Sequence, residues 1–166
     1  MRSRTAGHRT LATLAFAAVA AAGLGAGVAT AEPQQMVRIR TFVNKCLDVQ
    51  GRSPADGAPI IQYQCNGQIN QDFRIEPVGE GFFAIGTFAD KCLQGRSPTI
   101  GAPIEQFPCN GQFDQRFRFV NLGGSFFEIR TALNLCLDVQ GQSAADGARI
   151  IQLPCNGERS QRFRID

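Results

Sequence analysis

One pattern is written three times along this chain. Each copy opens on a cysteine followed by leucine (Cys46, Cys92, Cys136), passes a Cys-Asn-Gly turn (Cys65, Cys109, Cys155) and ends on Gln-x-Phe-Arg (Gln71, Gln115, Gln161). The corresponding phenylalanines, Phe73, Phe117 and Phe163, stand 44 and then 46 residues apart. A repeat of this length is one supersecondary unit that must bury its apolar face against its own copies. The repeat also separates structure from function. A residue kept in every copy serves the fold, whereas one that varies is a candidate for a site confined to some lobes.

Each unit reads as short strands. Met36 to Thr41, Phe82 to Thr87 and Phe126 to Thr131 alternate apolar with polar or small residues, the signature of a half-buried strand. A second strand holds the first cysteine and its leucine. Turns at Asp56-Gly57, Gly101 and Asp146-Gly147 lead to a third apolar run, Pro59 to Tyr63, Pro103 to Phe107 and Arg149 to Leu153, and Gln-x-Phe-Arg opens the fourth. The Cys-Asn-Gly turns at Asn66, Asn110 and Asn156 are read as tight turns needing positive φ, and Arg74, Arg118 and Arg164 as solvated charges on a strand face. The predicted fold is all-β, with about four strands in each of three lobes, at about 36–78, 79–122 and 123–166. A propeller of three blades falls below the usual range of about 4–8, and there is no Trp-Asp signature, so a threefold barrel fits better.

Residues 1–31 are set apart from this pattern. Arg2, Arg4 and Arg9 form a basic head, an apolar stretch runs from Leu11 to Val28, and Ala29-Thr30-Ala31 supplies small residues before Glu32. This predicts a cleaved secretory signal peptide and an extracellular, secreted protein without membrane insertion after cleavage. Cleavage removes three of the 17 Lys+Arg, leaving as many bases as the 14 acids, and with them goes the basic excess that nucleic acid would require. No nucleic-acid partner is expected. The remaining chain, about 135 residues, suits one domain, 32–166.

The single histidine, His8, lies in that leader, so residues 32–166 lack the usual general base and most zinc-site chemistry. No metal or cofactor is expected. The six cysteines fall two per copy, 19, 17 and 19 residues apart. In an exported chain they read as disulfides. Six cysteines permit 15 pairings, and the equivalence of the copies favours Cys46–Cys65, Cys92–Cys109 and Cys136–Cys155.

With Cys-Leu-Asp-Val, the apolar run before the second cysteine and a terminal Gln-x-aromatic in each copy, the chain resembles the ricin-B-type lectin β-trefoil, the family of the carbohydrate-binding module with three Gln-x-Trp motifs. The likeness covers residues 36–166. One departure is systematic: Phe73, Phe117 and Phe163 stand where the family has tryptophan, a core position that phenylalanine can fill.

The resemblance implies a sugar site in each lobe, built from the Asp after the first cysteine, an aromatic two residues before the second, and the Asn-Gln that opens the final motif. An aromatic ring stacks on the C–H face of a pyranose while a carboxylate and amides take its hydroxyls. Lobe one holds the full set: Asp48, Tyr63 (the chain's one tyrosine), Asn70 and Gln71. Lobe two has lost two residues after Leu93 and so lacks the aspartate; it keeps Phe107, with Asp114 for the asparagine, and is expected to be silent. Lobe three keeps Asp138 and Gln161 but has Leu153 and Ser160 at the other two places, a weaker candidate. Gln71, Gln115 and Gln161 occur in every copy, which also gives them a structural role.

The expected function is therefore a secreted, lectin-like protein that binds sugar reversibly and without catalysis, mainly through lobe one. Galactose-type and xylan-type glycans are both within the family's range. The alternative is a sugar-silent trefoil that binds a protein partner, as an inhibitor or toxin-associated module. An enzyme is not expected: Asp48 and Asp138 occupy equivalent places in different lobes, too far apart for the ~5–10 Å of a glycosidase pair.

Overall fold

The computed structural model describes residues 35–96 and 98–166; the expected leader lies outside them. Thirteen strands run among these residues, joined in one hydrogen-bonded sheet. Lobe one contains β1 (Met36–Val37), β2 (Ile39–Arg40), β3 (Cys46–Val49), β4 (Ala58–Tyr63) and β5 (Phe73–Gly79). Lobe two contains β6 (Phe82–Gly86), β7 (Lys91–Gln94), β8 (Glu105–Pro108) and β9 (Phe117–Gly123). Lobe three contains β10 (Phe126–Thr131), β11 (Leu135–Val139), β12 (Ile150–Pro154) and β13 (Arg164–Ile165). The expected four per lobe becomes five in lobe one because its first strand divides at Arg38. There its pairing passes from β5 to the chain's end, where Arg38 and Asp166 exchange backbone hydrogen bonds of 3.0 and 2.9 Å.

The outer strands of the lobes close a barrel: β5 pairs β6, β9 pairs β10 and β13 pairs β2 in equivalent registers, with Arg74 opposite Gly86, Arg118 opposite Arg130 and Arg164 opposite Arg40. The ring is completed within each lobe by Phe73 opposite Val37, Phe117 opposite Phe83 and Phe163 opposite Phe127. Three hairpins, β3–β4, β7–β8 and β11–β12, cap the barrel. This is the β-trefoil.

The core is built in threes. Phe73, Phe117 and Phe163 form one set; Ile39, Ile85 and Ile129, Leu47, Leu93 and Leu137, and Ile60, Ile104 and Ile150 form the others, each side chain fully buried. Burial of one such side chain stabilises the fold by about 1.5–3 kcal/mol. Phenylalanine thus fills the position that the resemblance assigns to tryptophan. Val49 and Val139 extend the core in lobes one and three. The disulfides are Cys46–Cys65, Cys92–Cys109 and Cys136–Cys155, as the repeat predicts, each tying the start of a cap hairpin to the residue beyond its end.

Three buried glutamines join the lobes. The Gln62 side-chain amide donates to the Ser143 and Ala145 carbonyls, each at 2.8 Å, and Gln106 does the same to Ser53 and Ala55 at 2.8 and 3.0 Å. Gln152 donates to Thr99 at 3.1 Å. The backbone carbonyls of these glutamines in turn accept from Gly147, Gly57 and Gly101, all at 2.8 Å. Each cap hairpin therefore grips the turn of the preceding lobe. Of the strand-face arginines Arg118 is exposed, as expected, and lies over the Phe82 ring at 4.1 Å; Arg74 and Arg164 are half-buried, Arg164 over the Phe126 ring at 5.4 Å and Arg74 paired with Asp90 and Glu76.

Candidate functional site

Strand alternation sets the first element of the site. On β3, Leu47 and Val49 enter the core, so the intervening Asp48, opposite Ile61 on β4, turns the other way. Tyr63 ends β4 opposite Cys46 and is 41% exposed, which leaves its ring open to a ligand. Beyond the disulfide, Asn66 Oδ1 accepts from the Gln68 backbone N–H at 3.0 Å. The turn has the positive φ expected of it, at Gly67 (+76°): the Asn66 side chain forms the turn while glycine supplies the left-handed backbone.

A short 3-10 turn, Ile69–Gln71, packs against β3. Asn70 donates to the Val49 carbonyl at 3.1 Å and lines the site. Gln71 is fully buried. Its Nε2 donates to Asp48 Oδ2 at 2.9 Å and to the Gln64 carbonyl at 3.0 Å, and its Oε1 accepts from Asn66 N–H at 2.9 Å. Gln71 thus stands behind Asp48 and aims it, with its own amide fully engaged.

Asp48, Tyr63 and Asn70 border one cleft of about 530 Å³, together with Gln50, Gly51, Arg52, Asn66 and Gln68. Asp146 and Gly147, which also line it, come from lobe three. Burial raises the Asp48 carboxyl above its ordinary value; hydrogen bonds from Gln71 and Asn70 and the charge of Arg52 offset this only in part. Such an under-solvated carboxylate gains from each hydroxyl donor brought to it.

The equivalent places in the other lobes differ. In lobe two the shortening lies beyond Gln94, not directly after Leu93. Gln94 pairs with Glu105 in the register that joins Asp48 to Ile61, because the Cys92–Phe107 pairing fixes the ladder before the loop begins. Among the described residues, the short loop has no counterpart of the 3-10 turns Gln50–Arg52 and Gln140–Gln142. Carboxylate and amide have changed places: Gln94 donates to Asp114 Oδ2 at 2.7 Å and accepts from Gln115 at 3.0 Å. The Phe107 ring lies beneath the Arg96 guanidinium, 4.7 Å from its centroid. In lobe three Asp138 is buried, accepts from Ser160 at 3.1 Å and is raised by burial, with Gln161 and Ser160 opposing. Leu153 leaves it without a ring. Gln115 and Gln161 hold their turns as Gln71 does, accepting from Asn110 and Asn156 at 2.9 and 3.0 Å.

Two features of the site escape sequence reading. The glutamines Gln62, Gln106 and Gln152 carry a signal, a polar residue kept in all three copies of an apolar run. Asp146 carries none, since it belongs to another lobe. Among the described residues, Glu128 lies within metal-ligand distance of Cys136 and Cys155, but those sulfurs form a disulfide and offer no thiolate.

The ricin-type beta-trefoil lectin domain family matches residues 35–163. Among solved structures, the designed threefold-symmetric protein ThreeFoil is 30% identical with a TM-score of 0.76, over 78% of this chain and 96% of its own. An exo-beta-1,3-galactanase from Clostridium thermocellum is 24% identical with a TM-score of 0.77, over 81% of this chain but 30% of the enzyme. The C-half of the earthworm R-type lectin, solved with GalNAc, is 21% identical with a TM-score of 0.64, over 81% and 98%. The last two show the fold alone. No curated protein matches.

Proposed function

The chain belongs to the ricin-type β-trefoil lectin domain family, and from that premise we propose that it binds a neutral glycan reversibly, without catalysis, through lobe one. One observation carries this: a buried, under-solvated carboxylate (Asp48) and an exposed aromatic ring (Tyr63) border the same cleft only in that lobe, among the described residues. Asp48 accepts hydroxyl hydrogen bonds, Tyr63 stacks on the C–H face of the pyranose, and Asn70 flanks them. Gln71 acts through Asp48. In lobe two Arg96 occupies the face of Phe107, and in lobe three a leucine replaces the ring, so both are weak or silent.

Galactose-type and xylan-type glycans are the first to test. Three disulfides in a chain with a leader-like N-terminus support secretion, since such bonds persist in oxidising compartments.

Titration of the purified protein against galactose- and xylose-based glycans tests the reading. Asp48→Asn is expected to weaken binding about 10- to 100-fold, the worth of charge-assisted hydrogen bonds. Tyr63→Ala is expected to weaken it about 3- to 10-fold, the worth of an aromatic contact. The recovered glycan should be unchanged in length. Binding that survives Asp48→Asn rejects lobe one as the site, and a protein that binds no glycan but captures a protein partner favours the alternative of a sugar-silent trefoil.

A further inference from the structure

The cleft of lobe one is not made by lobe one alone. Asp146 and Gly147, in the turn before β12, also line it, and that turn is anchored by hydrogen bonds from lobe one. Gln62 binds it through Ser143, Ala145 and Gly147, and Gln62 N–H donates to the Ala148 carbonyl at 2.8 Å. Gly147 sits at φ +83°, a left-handed conformation that glycine adopts without strain.

Asp146 is held in turn by lobe one. Its Oδ1 accepts from the Gln64 N–H at 2.9 Å and from Lys45 Nζ; both contacts use this one oxygen. Oδ2 takes neither. The hydrogen bond from Lys45 holds the carboxyl below its ordinary value, so it stays charged where Asp48 begins to take up a proton. The same seam recurs between lobes one and two as an ion pair of Lys91 and Asp56, 2.6 Å apart, but there the adjoining ring lies under Arg96. Between lobes two and three, Leu135 and Ile100 stand at the two positions and no carboxylate is available.

Resting on the lectin reading above, we propose that Asp146 is a specificity-determining residue of a site shared by two lobes. It accepts hydrogen bonds from the sugar unit next to the one stacked on Tyr63, so the preferred ligand is a neutral oligosaccharide. The cleft's volume supports this: about 530 Å³ lies within the ~300–1,000 Å³ of pockets for drug-sized ligands, more than one pyranose ring fills. A second fixed carboxylate lining the same cleft as Asp48 also disfavours glycans carrying carboxylate or sulfate groups at that unit.

Chain-length dependence separates this role from a merely structural one. Galactose and β-1,3-linked galactobiose, and xylose and xylotriose, are titrated against wild type, Asp146→Asn and Asp48→Asn, with melting temperature as the control for folding. Asp146→Asn keeps an acceptor for Gln64 and preserves the turn. In wild type the oligosaccharide of the preferred series should bind about tenfold more tightly than its monosaccharide, the gain of one charge-assisted hydrogen bond. Asp146→Asn should erase that advantage, bringing the ratio of oligosaccharide to monosaccharide affinity from about tenfold to near one. If Asp146→Asn weakens both ligands equally, or neither, the shared site is rejected while the lectin reading stands. If the wild type binds none of the four sugars, both fall.

Discussion

Burial raises the Asp48 carboxyl, and the sign of that shift sets how pH acts on the protein. A carboxyl that holds its proton more tightly when folded than when unfolded makes stability fall as pH rises through the window between its ordinary and raised values, and leaves a constant cost above it. Asp138 acts in the same direction. Asp48→Asn should therefore melt higher than wild type at neutral pH, and the difference should shrink on acidification toward pH ~3, where Asp48 itself becomes neutral. Thermal melts of the two proteins across that range check this; a difference that grows in acid would contradict the assigned sign. If Asp48 accepts from the ligand as proposed, glycan binding is expected to weaken in acid as the carboxyl takes up its proton. On that proposal, stability and binding pull in opposite directions at Asp48.

At the level of elements, the cap hairpins are connectors as much as caps. Gln62 and Gln106 each leave two carbonyls of a neighbouring lobe unpaired if truncated, so Gln62→Leu and Gln106→Leu should each cost about 1–3 kcal/mol in denaturant unfolding. Their effects on binding should differ. Gln62→Leu loosens the turn carrying Asp146 and should weaken oligosaccharide binding, whereas Gln106→Leu loosens the turn before β4 and should leave it nearly unchanged. Equal effects on binding would indicate a general loss of stability in place of a local one. Lobe two shows how far an element can drift within a kept ladder. Its sequence, Gln94-Gly95-Arg96, matches Gln50-Gly51-Arg52, yet the register carries Gln94 into the position of Asp48. Pairing geometry overrides sequence likeness there because the disulfide and the Cys92–Phe107 pair fix the strand before the loop is reached.

Across the whole molecule, threefold packing is compatible with the single site proposed above because the core triplets and the cleft of lobe one use different residues. One binding site per chain is expected, so titration should saturate at a stoichiometry near one, and a monomer should not cross-link multivalent glycans. A stoichiometry near three would show that lobes two and three are active despite Arg96 and Leu153. Much of this was legible in the repeat. The strand positions follow from alternation, the disulfide pairing from the equivalence of the copies, and the buried phenylalanines from their presence in all three. The proximity of Asp48 and Tyr63 follows from hairpin pairing, a local constraint. The roles of Gln62 and Asp146 were not legible, because they depend on how one lobe docks beside the next. The sequence by itself determined three copies of one β-unit and the residues that distinguish lobe one, since periodicity and pairing act over short stretches of chain. Only the tertiary structure decided that a turn from lobe three walls the cleft of lobe one, because burial of the isoleucine, leucine and phenylalanine triplets about a common axis brings together residues a hundred positions apart.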